Sequence, residues 1–419
     1  MCTKSDGHSV NRNMHSHLVS WRGFDMTMTE PLASATALVA EIRARRADLA
    51  EGGFRSDRDN ADPADNFVVL SEVGAARLFV PAEYGGLWDG TVTGGWGDLI
   101  RAMAEVGAGD GPTCQNWGTT ALVAREVFDS HAGLPEETRR ELARRLLDEG
   151  LRLVASNAET GVNGKVTARP AEGGVILSGT KSFNTNSGGL GIANVGCVLE
   201  GTPGRHHVLV ELKHPGVELH DDWDNMGQRG TRSQTITYHD VFVPDGWHYA
   251  ASMPSPLFFG AALLLHASLM QGIGDGALDA MVGYVRTMKR GMLPQFATPA
   301  EDPLMMRRVG AQSSRLAASR ALLFAAADRI ETAAESEVAG TVVECFRAKV
   351  ACVDASLEAA GEIHELAGAR STSNTYRLDR YWRSARTFAS HDPTDTKNVY
   401  IGMYEVTGEL PSPASIIRI

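Results

Sequence analysis

The chain has 419 residues, 43% of them hydrophobic and 22% charged, which is enough to bury a large core in two or three domains and too apolar for a disordered polymer. Forty basic against fifty-one acidic side chains leave a formal charge of -11, which excludes a protein that coats nucleic acid with a basic face. Five scattered cysteines, odd in number and without a CxxC pair, exclude a disulfide framework and a structural zinc site and point to the reducing cytoplasm.

Residues 1–28 are rich in Ser, His and Asn, lack the apolar segment of a secretory signal, and read as a loose tail with Met26 and Met28 as alternative starts. His8, His15 and His17 have no carboxylates spaced to complete a metal site there. From Thr29 the pattern turns helical, with Leu32, Ala35, Leu38, Val39, Ile42 and Leu49 recurring near 3.6-residue spacing. Further helical stretches are expected at about 64–77, 93–106, 111–130 and 135–149, around the turn-rich connector FVPAEYGGLWDG with Pro81, Gly85, Gly86 and Gly90. Residues 29–150 are therefore expected to form an all-helical domain.

At Leu151 short β-branched runs begin, separated by Gly, Pro, Asn and Asp, and 151–246 reads as a small antiparallel β-domain. Helical periodicity returns over roughly 256–290, 303–332, 335–368 and 375–408, so 247–419 is expected to be an up-and-down helical bundle with a tail. The class is thus mainly α with a central β-domain. The longest apolar run, around Leu257 to Leu265, is too short to span a bilayer and is broken by Gly260 and His266, so no membrane is expected. No GxGxxG links a strand to a helix and no GxxxxGK[ST] occurs, which argues against a nicotinamide or nucleotide site of the usual kinds.

This order of domains, with FVPAEYGG (79–86), SNAET (156–160), GTKSFNTNS (179–187), MGQRGTRSQTITYHDVFVP (226–244) and GDGALDAMVGYVRT (274–287), resembles the acyl-CoA dehydrogenase superfamily. DDWDNMGQR (221–229) and GARSTSNTYRLDRYWRSARTFASHDPTDTKN (368–398) are similar to its reduced-flavin-dependent monooxygenases of the dibenzothiophene monooxygenase type. The resemblance implies an N-terminal helical domain, a middle β-domain and a C-terminal four-helix bundle. It also implies reduced FMN supplied by a separate NAD(P)H-flavin reductase, with FAD the other option, and O2 and a small molecule as substrates. A homotetramer is implied too, which the small Ala317, Ala318, Ala325 and Ala326 on helical faces would favour.

In that frame the flavin ring lies between the β-domain and the bundle. Asn157, Thr160, Ser182 and Thr185 are short polar side chains at strand ends that suit its polar edge, and Trp223 can wall a ring face. Arg286 and Arg290, four apart on one expected helix, and Arg370 in a loop are the candidates for a flavin phosphate. Against the dehydrogenase pattern YxxERLxRDARxxxIYEG, Tyr376, Asp379, Arg380, Arg383 and Arg386 match, and Tyr-Glu-Gly falls on His391, Asp392 and Pro393. The monooxygenase branch implies that His391 hydrogen-bonds or protonates a flavin hydroperoxide, with Asp392 holding the local helix or orienting the imidazole. An HDP helix-capping turn is the alternative role for these residues. Gln115 and Thr119 stand where the branch carries His and Tyr, and Phe388 replaces a second histidine, so the substrate side differs. The expectation is a two-component monooxygenase acting at sulfur, nitrogen or an aromatic carbon. An FAD-dependent acyl-CoA dehydrogenase and a non-catalytic scaffold are the alternatives.

Overall fold

Helix capping, strand alternation and one proline account for most of the architecture. The computed structural model describes residues 34–158, 165–189 and 191–411; the expected tail of 1–28 and Thr160 lie outside the described residues. Helix α1 (Ala35–Ala44) starts where the Ser34 hydroxyl accepts from the Ala37 amide at 3.2 Å. At Arg45 the chain leaves helical geometry and restarts as α2 (Arg46–Asp59), which ends with Asn60 in the left-handed region. Helices α3 (Ala64–Glu72), α4 (Trp96–Gly109), α5 (Gly111–Val127) and α6 (Glu136–Asp148) complete the first helical part. Asp110 caps α5 by accepting from both the amide and the hydroxyl of Thr113, at 2.9 and 2.7 Å, and Pro112 fits the first turn, where no amide partner is needed.

Strands β1 (Arg152–Ser156), β2 (Thr167–Ala171), β3 (Gly174–Asn184), β4 (Gly191–Leu199), β5 (Arg205–Glu211), β6 (Val217–Leu219), β7 (Gln234–Pro244) and β8 (His248–Ala250) form one sheet in the order β6-β7-β3-β2-β4-β5-β8, with β1 against β4. The sheet is mixed: the other pairs are antiparallel, but β1 and β2 each run parallel to β4. Alternation fixes which side chains face the core and carries no information about strand direction, so the expected wholly antiparallel domain acquires two parallel ladders. Val154, Leu177, Ala193, Val195, Val208, Ile236 and Tyr238 are the inward set. Strand β8 ends at Ala250, beyond the expected boundary at 246, because it pairs with β5.

The C-terminal part contains α7 (Pro256–Thr287), α8 (Pro303–Thr332), α9 (Val338–Ala367), α10 (Asp379–Ala389) and α11 (Thr394–Thr407). Helix α7 is long and apolar enough to cross a membrane, yet most of that stretch is buried against α4, α8 and α9, as in the central helix of a bundle. It approaches α4 so closely that a Cβ on Gly272 would lie 2.6 Å from the Gly107 Cα, and only glycine fits there. The helix expected over 375–408 is two helices. Pro393 has no amide to donate and its ring would strike the carbonyl four residues back, so the chain breaks at His391-Asp392-Pro393.

Candidate active site

The end of β3 is distorted where a flavin edge is expected. The β3–β7 register slips between Lys181 and Asn184, and inside that irregularity Phe183 has φ 57° and is 57% exposed, an unusual conformation for a bulky residue. Asn184 holds the distortion in place: its amide donates to the carbonyls of Lys181 and Gln234, both at 2.9 Å, and it accepts from Ser156 at 2.6 Å. Next to it, the Thr185 and Ser233 hydroxyls lie 2.9 Å apart, Gln115 of α5 reaches Thr185 at 3.4 Å, and Thr119 donates to the Gln115 carbonyl at 2.9 Å. Gln115, Thr119 and Thr185 are therefore neighbours. Ser182 is half-buried on β3. Asn157, at the end of β1, is engaged by Arg205, whose guanidinium donates to its carbonyl and side-chain oxygen, each at 3.1 Å.

Trp223 is buried, donates to the Gln228 carbonyl at 2.9 Å and meets Phe183 edge to face at 6.3 Å. Its loop is seated on α10. A Cβ on Gly227 would fall 2.0 Å from the Arg383 carbonyl oxygen, and the Gln228 amide donates to Ser384 at 3.3 Å. The arginines of the RLDRYWRSAR run fix α10 in turn. Arg377 and Arg383 both donate to the buried Asp57 of α2, at 2.7 Å for their shortest bonds, and Arg383 also reaches Asp379 at 2.7 Å. Arg380 lies 3.6 Å from Asp110, whose carboxyl burial pushes up against the pull of that arginine.

Helix α10 ends in a ring cluster. Phe388 and His391 stack with centroids 5.5 Å apart, and His266 of α7 meets Phe388 at 5.4 Å and His391 at 5.0 Å, edge to face with each. His391 is exposed by accessible area, although protein crowds it at longer range; that crowding lowers its pKa, Lys349 adds to the effect and Asp392 opposes it. Asp392 accepts from Lys349 and Lys397, two buried lysines, and no hydrogen bond joins it to His391. Burial alone would raise the Asp392 carboxyl, but the lysines outweigh it and hold it at about 2. Of the two roles expected of Asp392, holding the local helix or orienting the imidazole, its contacts match the first: through Lys349 and Lys397 it ties the helix break to α9 and α11. Burial, opposed by Asp392, leaves Lys349 at about 8. His266 was not singled out from sequence, where it reads as a break in LFFGAALLLHASLM; the available signal was a lone imidazole on an otherwise core-facing helix.

The expected phosphate arginines stand apart from this cluster. Arg286 is exposed in the last turn of α7, while Arg290 lies beyond the helix, which stops at Thr287 ahead of Gly291 and Pro294, so the two do not share a helical face. Arg370 is exposed in a short turn at the same end of the bundle, where Tyr284 and Tyr376 touch at 5.0 Å. Twenty residues of helix separate His266 from Arg286, roughly 30 Å at 1.5 Å per residue. One mononucleotide cannot touch both within one chain.

Among the described residues, buried polar atoms without a partner occur in several parts of the protein, and six of them are Gln115 Oε1, Asn116 Oδ1, both amide atoms of Gln228, Thr387 Oγ1 and His266 Nδ1. They come from α5, the loop before β7, α10 and α7, the same elements that carry the expected site. A ligand bound between these elements could supply the missing bonds. With Phe183 and Trp223 as an aromatic wall, the set fits a flat ring with a polar edge, which Thr185 and Gln228 would hold. A cavity of about 180 Å³ lined by Trp88, Arg125, His131 and Phe258 contains none of these residues. Among the described residues no group of His, Cys, Asp and Glu is arranged to hold a metal.

Comparison with known proteins agrees with this geometry. The family model for the acyl-CoA dehydrogenase middle domain matches residues 156–241, and that for the C-terminal domain matches 264–396. A dibenzothiophene monooxygenase of Mycolicibacterium goodii is 31% identical over 353 residues, covering 76% of this chain and 84% of that protein. A probable FMNH2-dependent monooxygenase of Pseudomonas putida is 27% identical, covering 92% and 98%. In fold, the chain is similar to TdsC from Paenibacillus sp. A11-2, solved with FMN and indole, with a TM-score of 0.80 and 22% identity over 90% of this chain and 99% of that one. The relatives named as monooxygenases favour neither a dehydrogenase nor an inert scaffold. The chain belongs to the acyl-CoA dehydrogenase superfamily, in its branch of flavin-dependent monooxygenases.

Proposed function

We propose that the chain is the oxygenase half of a two-component system: it takes reduced FMN from a separate NAD(P)H-flavin reductase and places one atom of O2 on a small organosulfur compound. The observation that carries this reading is the state of Asp392. It stands where a dehydrogenase would keep its glutamate, yet two buried lysines hold it at about 2, far too weak a base to take a proton from a carbon acid. The imidazole beside it has no such tie. Reduced flavin supplies the electrons that activate O2; His391 holds or gives a proton at the reacting edge, and Phe388, stacked on it, stands on the substrate side. Gln115 and Thr119 stand on the substrate side, and Thr185, Gln228 and Trp223 orient the ring. FMN is supported by the relatives' names, and sulfur by the dibenzothiophene monooxygenase relative.

The roughly 30 Å between the ring cluster and Arg286 is resolved if arginines of a neighbouring copy meet the flavin phosphate, and we therefore place the chain in a homotetramer. None of its four described cysteines forms a disulfide, which fits the cytoplasm. The test supplies the pure protein with NADH or NADPH, FMN and a panel of sulfides and sulfinates in air. No nicotinamide should be consumed until a flavin reductase is added, and sulfur oxygenation should then appear. Nicotinamide oxidation by the pure chain would overturn the two-component reading, and oxygenation confined to nitrogen or aromatic compounds would overturn the substrate class.

A further inference from the structure

His266 and His391 form two sides of a closed triangle of rings with Phe388, and one nitrogen of the inner ring is buried without a partner among the described residues. His266 Nδ1 is shut off from solvent and has no partner, and among the described residues no hydrogen bond reaches either ring. Leaving a buried imidazole nitrogen unpaired is unfavourable unless something arrives to pair with it. The nearest carboxylate cannot, because Asp392 is taken up by Lys349 and Lys397. The charged groups that face the two imidazoles are Lys349 from α9, Asp392 from the helix break and Lys397 from α11, a net positive surround that resists two protons on the pair.

We propose that His266 is the proton partner of His391: the two imidazoles act as one acid–base pair holding a single proton, with His391 the outer, solvent-facing member and His266 the inner one. The proposal rests on the reading of His391 as the group that handles the proton of the oxygenation, and His266 acts through it as a positioning residue. Phe388, stacked on one ring and edge-on to the other, holds the pair in register. The electrostatics support the order of protonation. Burial first and His391 second push His266 well below the usual histidine range, so the proton resides on His391 while the inner ring stays neutral.

Coupled sites titrate as a pair, and this gives a test that needs neither flavin nor substrate. Histidine ring carbons are followed by NMR against pH in the wild-type chain, in His391→Asn and in His266→Phe, which keeps an aromatic ring at that position; each resonance is assigned by its loss from one variant. The expected result is two separated steps in the wild type; in His391→Asn the remaining His266 step rises by about half a pH unit or more above the lower wild-type step, while in His266→Phe the His391 step stays at the upper one. If the wild-type curve is simply the sum of the two variant curves, the histidines do not share a proton and the proposal is overturned. Should His266→Phe fail to fold, His266→Gln carries the same measurement. Because the chain is titrated without flavin, failure of the monooxygenase reading would leave this result standing.

Discussion

Replacing Asp57 by asparagine should weaken the whole connection between the first helical part and α10. The carboxylate is 3% exposed and receives Arg377 and Arg383, whose side chains are each 16% exposed. Removing one partner of a buried ion pair typically costs about 3–5 kcal/mol, and the partial exposure of the arginines argues for the lower end, about 3 kcal/mol. With an unfolding entropy of ~2.1 cal/mol/K per residue, a chain of this length unfolding cooperatively changes by ~0.9 kcal/mol per degree, so Tm should fall by about 3–4 °C. The acid limb should change as well. Burial alone raises the Asp57 pKa, but Arg383 and Arg377 outweigh it and leave it lowered. A carboxyl depressed on folding stabilises above its unfolded pKa of ~3.9 and loses that contribution as pH falls through the lower folded value. Calorimetry from pH 7 down to pH 3 should therefore show the wild-type and Asp57→Asn curves converging in acid. A variant that melts within ~1 °C of wild type at pH 7 and keeps the same acid dependence would refute the reasoning.

Substituting Gly227→Ala drives a methyl into the Arg383 carbonyl, so the Trp223 loop must lift from α10; a loss of about 1–3 kcal/mol and weaker binding of reduced FMN are expected by thermal melt and anaerobic titration. Asp392→Asn leaves Lys349 and Lys397 buried without a counter-charge and should destabilise by about 3 kcal/mol at neutral pH, a difference that disappears only as pH falls toward about 2. His391→Ala should keep the fold and reduced-flavin binding while product formation falls ~100-fold and reduced flavin is diverted to peroxide, measured by paired product and peroxide assays; unchanged coupling would reduce the HDP turn to a helix cap.

The order of helices, strands and bundle was legible because periodicities of 3.6 and 2 record which faces are buried. The direction of β1 and β2 against β4 was not, since parallel and antiparallel strands alternate alike. His391 could be found because a long motif surrounds it. His266 could not, because a lone histidine in an apolar run looks the same whether it breaks the run or faces a partner on another helix. Asp57 was likewise hidden: in FRSDRD nothing distinguishes the carboxylate that is buried from Asp59, which is exposed, until α10 is laid across α2. Arg286 and Arg290 were joined by assuming that α7 continued for one more turn, and Thr287 ends it.

The central claim is that the chain works on reduced flavin borrowed from elsewhere, and anaerobic titration of the purified protein with oxidised FMN, reduced FMN and FAD tests it most directly. The account predicts a nearly colourless protein that binds reduced FMN more tightly than either oxidised flavin, with no spectral response to acyl-CoA thioesters. A protein that purifies yellow with FAD and is bleached by an acyl-CoA thioester would contradict it.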